Sequence, residues 1–188
     1  MIRLLKAADR AAVPWKNGGG VTHDVIVSPA GATLDTFDWR ISIAEIAADG
    51  PFSRFPGIDR KLAVLKGKVS LTVEGGTPTV LDPDTDPLDF HGESAVEGKL
   101  VGGPSMDLNV MTRRGRFMSR LSRYSYTQPK IKTPTNVIIA LNSLTITSGN
   151  RLIAMTALDA LLIEGSASMT IGPKGADYYL IEISAPQP

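Results

Sequence analysis

The chain has 188 residues, of which 43% are hydrophobic and 21% charged, with a formal net charge of +1 at pH 7 and no cysteine. That length suits a globular protein with a sizeable core, and the lack of cysteine excludes disulfides, thiolate nucleophiles, zinc ribbons and iron–sulfur clusters. A net charge this close to zero supplies no broad field for phosphate backbones or anionic lipid, so neither nucleic acid nor membrane is expected as a partner.

From Met1 to Val13, charges at Arg3, Lys6, Asp9 and Arg10 break any apolar run, unlike the core of a signal peptide. The apolar stretch Ala157 to Ile163 is far short of the roughly 20 residues that a membrane helix needs. The expectation is a soluble, cytoplasmic protein. Lys6 to Val13, with Ala7, Ala8, Ala11 and Ala12, reads as the one helix candidate, ended by Pro14. Pro14-Trp15-Lys16-Asn17-Gly18-Gly19-Gly20 follows. Its glycines expose amides that can approach an anion closely, with Lys16 as countercharge; the other reading is a tight turn with Trp15 plugging the core. No lysine and hydroxyl follow the glycines, so it is not a phosphate-binding P-loop.

Beyond it, short β-branched segments alternate with Gly and Pro at the spacing of a sandwich or barrel. After Thr22 to Ser28, Phe37 to Ala44 alternates so that Trp39, Ile41 and Ile43 share one face. Leu62 to Leu65 and Val69 to Val73 flank Lys66-Gly67-Lys68 and read as a hairpin, Gly67 supplying the positive φ of its turn. Asp82, Asp84, Asp86 and Glu93 fall on EF-hand spacing, but Pro87 occupies the position that must turn at positive φ, so the segment reads as an acidic surface loop. Asp89, His91 and Glu93 would share a strand face, either as three metal ligands or as a solvated face with Phe90 turned inward. With His23 the only other imidazole, a three-histidine site is impossible, and no metal or other cofactor is expected.

Further on, Met106 to Thr112 and Phe117 to Tyr126 read as strands, and Arg114, Arg116 and Arg120 would alternate onto one face, a charged edge rather than a nucleic-acid surface. Tyr126 to Thr135, with Pro129 and Pro134, is the linker candidate. Asn136 to Leu141, Arg151 to Ala157, Leu161 to Ile163, Ala167 to Ile171 and Tyr178 to Ile183 complete the strands. Two strands have one apolar and one polar or small face: Arg40 and Ser42 oppose Trp39 and Ile41, and Asp107 and Asn109 oppose Leu108 and Val110. Polar faces of this kind look into a lumen or into water. A guanidinium, an amide and a carboxylate at a barrel mouth suit a small amino-acid-like anion; alternatively Arg40 and Asp107 form a buried pair that fixes register.

Five blocks in order resemble the HutD/Ves family: Pro14 to Gly20, Phe37 to Ser42, Asp49-Gly50-Pro51-Phe52-Ser53, Phe55-Pro56-Gly57-Ile58-Asp59-Arg60 and Asp107 to Gly115. The resemblance spans roughly Ala11 to Gly115. It implies an all-β bicupin of two jelly-roll-like barrels in one body, about residues 1–128 forming the first and 129–188 the second, with a pocket in the first. It also implies a link to bacterial histidine utilisation, through sensing or limiting an intermediate such as urocanate or formylglutamate, and no established catalysis. The resulting expectation is a metal-free regulatory protein binding a small anionic metabolite, with Trp15, Lys16, Asn17, Arg40, Phe55, Asp59, Arg60, Asp107 and Asn109 around its pocket and a homodimer left open. Arg40 or Arg60 would clamp a carboxylate, Asn109 would read an amide or formyl group, and Trp15 would wall the site. The competing class is a metal-independent isomerase or hydrolase of a small acid with Asp59 or His91 as base, or a Ves-like stress-associated protein.

Overall fold

Period-2 patterning carries the chain into antiparallel strands almost throughout the computed structural model, which describes residues 1–125, 131 and 133–186. Among the described residues the only helical element is a single 3-10 turn, Ala7–Asp9. The helix expected over 6–13 is therefore not formed. Lys6 and Arg10, on either side of the turn, are extended, and Ala12–Pro14 is a strand paired with Val21 to His23. Two turns of alanine-rich sequence do not nucleate a stable helix alone, so strand pairing overrides propensity. No helix among the described residues is long and apolar enough to cross a membrane.

Two units result, Ala11–Phe117 and the combination of Met1–Arg10 with Met118–Pro188. The expected division near residue 128, and most of the linker expected over 126–135, lie outside the described residues. Strand pairing explains the membership of the flanking segments: Ile2–Leu5 pairs with Ala160–Glu164, and Met118–Ser125 pairs with Asp177–Ser184.

In the unit Ala11–Phe117, one sheet runs in the order Ala12–Pro14, Gly20–Ser28, Trp39–Ile46, Ser105–Arg113, Ile58–Lys66 and Leu88–His91, and a second in the order Gly50–Pro51, Val96–Leu100, Val69–Val73 and Thr79–Leu81. Leu62, Val64 and Phe90 of the first sheet pack against Val69, Leu71, Leu81 and Val96 of the second. This cluster fills one part of the space between the sheets. Phe37, Ile58 and Met111 form a smaller cluster, with Phe55 edge-on to Phe37 at 6.4 Å.

The other unit places Ile2–Leu5, Ala160–Glu164, Thr135–Ala140, Asp177–Ser184 and Met118–Ser125 in one sheet and Arg151–Met155, Leu144–Ser148 and Thr170–Gly172 in another. Ile138, Leu161, Tyr178 and Leu180 meet Leu144, Ile146, Met155 and Ile171 in one apolar core. The N-terminal segment is tied down by buried Asp159, whose carboxylate accepts hydrogen bonds from Ala7 N (2.8 Å), Lys6 Nζ (2.9 Å) and Thr156 N (2.9 Å). Burial alone would raise the Asp159 carboxyl; the bonds from Thr156, Ala7 and Lys6 outweigh it and hold the group at about 2.

Lys66-Gly67-Lys68 is a corner and not a hairpin. Ile58–Lys66 pairs with Ser105–Arg113 and Leu88–His91, whereas Val69–Val73 pairs with Val96–Leu100 and Thr79–Leu81, so Gly67 carries the chain from one sheet to the other. The sequence signal is the same for both, because a corner and a tight turn alike require positive φ. Gly67 has φ +73°, and a Cβ there would lie 2.4 Å from the Pro104 carbonyl oxygen. Gly115, at φ +78°, has open space where its Cβ would be. Gly115→Ala is therefore expected to lose only the left-handed backbone cost, about 1–2 kcal/mol, and Gly67→Ala clearly more. Urea unfolding of both variants checks this; equal losses would mean that the corner relaxes freely.

Candidate ligand-binding cavity

Alternation along two neighbouring strands builds the site. In Trp39–Ile46 the residues Trp39, Ile41 and Ile43 are buried on one face, while Arg40, Ser42 and Ala44 face a cavity of about 670 Å³. In Ser105–Arg113 the cavity face is Asp107, Asn109 and Met111, set opposite Ala44, Ser42 and Arg40 respectively. Met111 also faces Arg60 on the next strand, so Arg40, Met111 and Arg60 form one cross-strand row. The polar faces thus look into a lumen.

Arg60 is nearly enclosed, 6% exposed, with its guanidinium carbon 4.9 Å from the centroid of Phe90, 5.5 Å from Phe55 and 5.7 Å from Phe52. Its Nη1 donates to Ser53 O (3.1 Å) and its Nη2 to Asn109 Oδ1 (2.7 Å). Asn109 Nδ2 in turn donates to Asp107 Oδ1 (2.5 Å). Burial lowers the Arg60 guanidinium to about 10, with Asp107 opposing and Arg40 adding to the shift, so it stays a cation at neutral pH. Burial raises the Asp107 carboxyl to about 7 against the pull of Arg60 and the Asn109 hydrogen bond. Two buried atoms at the end of this chain have no hydrogen-bond partner, Arg60 Nε and Asp107 Oδ2.

Arg40 is differently placed. Its Nε (2.7 Å) and Nη2 (2.6 Å) engage Asp24 Oδ1, and Nη1 has Met111 Sδ at 3.8 Å. The alternative of a buried Arg40–Asp107 pair is not formed: Arg40 engages Asp24, and Arg60 reaches Asp107 through Asn109. Trp15 Nε1 donates to Thr22 Oγ1 (2.7 Å), which fixes the indole as a wall of the cavity. Gly20 permits this closeness, since a Cβ on it would lie 2.4 Å from Glu45 O and 3.1 Å from the Trp15 ring. Lys16 and Asn17 also line the cavity, Asn17 Oδ1 accepting from Gly19 N within the loop (3.0 Å).

Of the nine residues expected around a pocket, the structure brings together Trp15, Lys16, Asn17, Arg40, Phe55, Arg60, Asp107 and Asn109 and leaves out Asp59. Adjacent strand residues point to opposite faces, so Asp59 and Arg60 cannot share the lumen. Asp59 instead accepts from Arg114 Nε (2.7 Å) and lies 3.1 Å from His91 Nδ1. Asp24, Thr22, Phe52, Ser53 and Met111 line the cavity without having been singled out as site residues. A two-residue step from Asn109 reaches Met111, and Phe52 and Ser53 lie in one of the family-like blocks. Nothing in the sequence marks Asp24 as the partner of Arg40.

On the outer face, Asp89 pairs with Lys61, and Glu93 binds Arg114 through two oxygens (2.7 and 3.0 Å), which holds its carboxyl at about 2. No group of three or more metal-ligating residues is assembled among the described residues. The expected alternation of Arg114, Arg116 and Arg120 on one strand face is not found, because the strand ends at Arg113 and the next begins at Met118. These cations have local partners: Arg113 donates to Phe37 O (2.7 Å), Arg116 pairs with Asp38 (2.5 Å) and Arg120 Nε donates to Ser122 Oγ (3.2 Å).

The fold and the cavity define an all-β bicupin whose lumen is lined by guanidinium, amide and carboxylate groups rather than by imidazoles. A cupin 2 conserved barrel domain protein from Leptotrichia buccalis shares the fold, with a TM-score of 0.59 at 9% identity over 93% of this chain and 92% of that one. HutD from Pseudomonas fluorescens SBW25 superposes over the whole of both chains with a TM-score of 0.84 at 30% identity. A Pseudomonas putida protein described as an uncharacterized 21.2 kDa protein in the hutC 3' region is 36% identical over 169 residues, 88% of each chain. Protein Ves from Citrobacter koseri is 41% identical over 108 residues, 57% of this chain and 56% of Ves. The sequence model of HutD matches residues 7–180, and the chain belongs to the HutD family.

The state of Asp107 can be measured directly. Its carboxyl is expected to titrate near 7 in carboxyl-carbon NMR, whereas an unfolded aspartate titrates near about 3.9. The folded protein then binds the extra proton between about pH 4 and 7, so the group makes stability fall as pH rises through that window. Asp107→Asn is expected to remove this decline from urea-unfolding profiles; a wild-type carboxyl titrating near 4 would contradict the burial argument.

Proposed function

We propose that the protein binds a small carboxylate metabolite in the cavity of the Ala11–Phe117 unit without a metal, and that it serves bacterial histidine utilisation in the cytoplasm as a regulatory binding protein. The observation that carries this reading is Arg40, a cation on the cavity wall whose Nη1 faces only a thioether sulfur and remains available to an entering anion. Lys16 adds a second positive charge at the same cavity, and Asn109 lines it between Arg60 and Asp107. Arg40 is a better clamp than Arg60, whose terminal nitrogens are engaged by Ser53 and Asn109. Membership of the HutD family and the hutC-region setting of the P. putida relative support the pathway. Urocanate and formylglutamate are the ligands of choice.

The enzymatic alternative loses its two candidate bases, since Asp59 and His91 lie on the outer face with Arg114. Asp107, Asp24 and Lys16 would remain on the cavity wall for acid–base work, and recovery of the ligand unchanged after incubation separates binding from turnover.

A ligand that binds only the folded state adds about 2.7 kcal/mol at a hundredfold excess over its Kd. At about 2–4 °C per kcal/mol this raises the thermal midpoint by several degrees. Formylglutamate or urocanate is expected to give that rise, while glutamate, histidine and acetate give less. Arg40→Ala is expected to abolish it and Arg40→Lys to restore only part, because an ammonium cannot hold Asp24 and present a directed N–H to the anion at the same time. No shift with any of these acids, or an undiminished shift in folded Arg40→Ala, would defeat the proposal.

A further inference from the structure

We infer that Asp107 carries a proton in the ligand complex and donates it from Oδ2 to an oxygen of the bound anion, so that the cavity takes up a proton as it fills and selects acids bearing a second acceptor oxygen, of the acylamino-acid class. The inference rests on the binding role proposed above and deepens it by naming the chemistry of the far end of the ligand.

The geometry starts from an orphan. Asp107 is 1% exposed, its Oδ1 takes the Asn109 amide, and its Oδ2 has no partner. A buried carboxylate oxygen without a donor is costly, and the cost disappears if that oxygen is protonated and given an acceptor. Among the described residues no protein group bonds Oδ2, the residues directly opposite Asp107 on the two adjoining strands, Ala44 and Val64, are apolar, and Asp107 lines the cavity. The cavity side is left as the source of the acceptor.

Charge decides which protonation state an anion favours. The charged residues lining this cavity are Lys16 in the Trp15 loop, Asp24 on Gly20–Ser28, Arg40 on Trp39–Ile46, Arg60 on Ile58–Lys66 and Asp107 itself. Asp24 is taken up by Arg40. With Asp107 ionised, the anion shares Arg60 with a competing carboxylate; with Asp107 neutral, the whole Arg60 charge is available to it. Around buried Asp107 and Arg60 that difference is worth more than at the surface, so ligand charge and the Asp107 proton bind together. An apo carboxyl poised at about 7 makes the exchange measurable at neutral pH. The proton comes from solvent, stays on Oδ2 and is shared with the ligand oxygen; no bond of the ligand breaks.

Calorimetric titration with formylglutamate in phosphate and in Tris, whose ionisation heats differ, reads the protons taken up. About half a proton per ligand is expected near pH 7, where a group with that midpoint is half ionised. Affinity is expected to fall up to about tenfold per pH unit above this point. Asp107→Asn should bind with the same heat in both buffers and a flat pH profile. Pentanoate, with a single carboxylate and no far acceptor, should bind at least about tenfold more weakly. Identical heats in the two buffers for the wild type overturn the inference while leaving carboxylate binding intact, and this comparison needs no variant. Proton uptake that persists in Asp107→Asn, or pentanoate bound as tightly as formylglutamate, overturns it as well. No binding of formylglutamate at all defeats this inference; the binding role itself then falls only if urocanate also fails.

Discussion

The burial of Arg60 is the constraint on which the cavity depends. A guanidinium in a low-dielectric interior needs acceptors for its N–H groups and a compensating charge. Three phenylalanine rings surround this one, the Ser53 carbonyl takes one terminal nitrogen, and Asn109 passes the other on to Asp107. The partners come from three segments, so satisfying Arg60 ties Ile58–Lys66 to Ser105–Arg113, to Phe90 of Leu88–His91 and to the Phe52–Phe55 segment. An aromatic cage of this kind attracts cations; here the protein fills it with its own side chain. What remains beside it is a cavity whose other cations are Arg40, paired with Asp24, and Lys16.

The two units use one architecture in different ways. In Met1–Arg10 with Met118 onward, Ile138, Ile146, Leu161 and Tyr178 occupy the space between sheets with apolar side chains. In Ala11–Phe117 the apolar cluster of Leu62, Val64, Leu71 and Val96 occupies part of it, and the rest is lined by polar groups. The difference lies in the inward positions. The inward positions of Ser105–Arg113 include Asp107 and Asn109, whereas Ile138 and Ala140 of Thr135–Ala140 face an apolar core. The ligand-sized space follows from a few inward polar residues that cannot collapse onto one another.

Much of this was legible from the sequence. The alternation at Trp39 to Ala44 and Leu108 to Val110 identified the strands and the inward set Arg40, Ser42, Asp107 and Asn109, because burial on one face is what period 2 encodes. Local signals did not determine pairing. Gly67 has the same φ demand in a corner as in a hairpin, and the partner of Arg40 depends on the offset of Gly20–Ser28, whose register shifts between Asp24 and Ile26. Short strands such as Thr79–Leu81 and Val96–Leu100 went unread, since Val96-Glu97-Gly98-Lys99-Leu100 is held by its neighbours in the sheet rather than by its own propensity. Asp59 and Arg60 are neighbours in one strand, and the same alternation puts only one of them in the lumen.

On the proposed reading an anion sits on Arg40 above the Asp107–Asn109 floor of this cavity. A crystal structure of the protein with saturating formylglutamate tests it most directly. The account predicts one carboxylate within about 3.2 Å of the Arg40 guanidinium nitrogens and a second ligand oxygen within about 3 Å of Asp107 Oδ2. Ligand bound outside the Ala11–Phe117 cavity, or bound within it with Arg40 still turned only to Asp24, would contradict it.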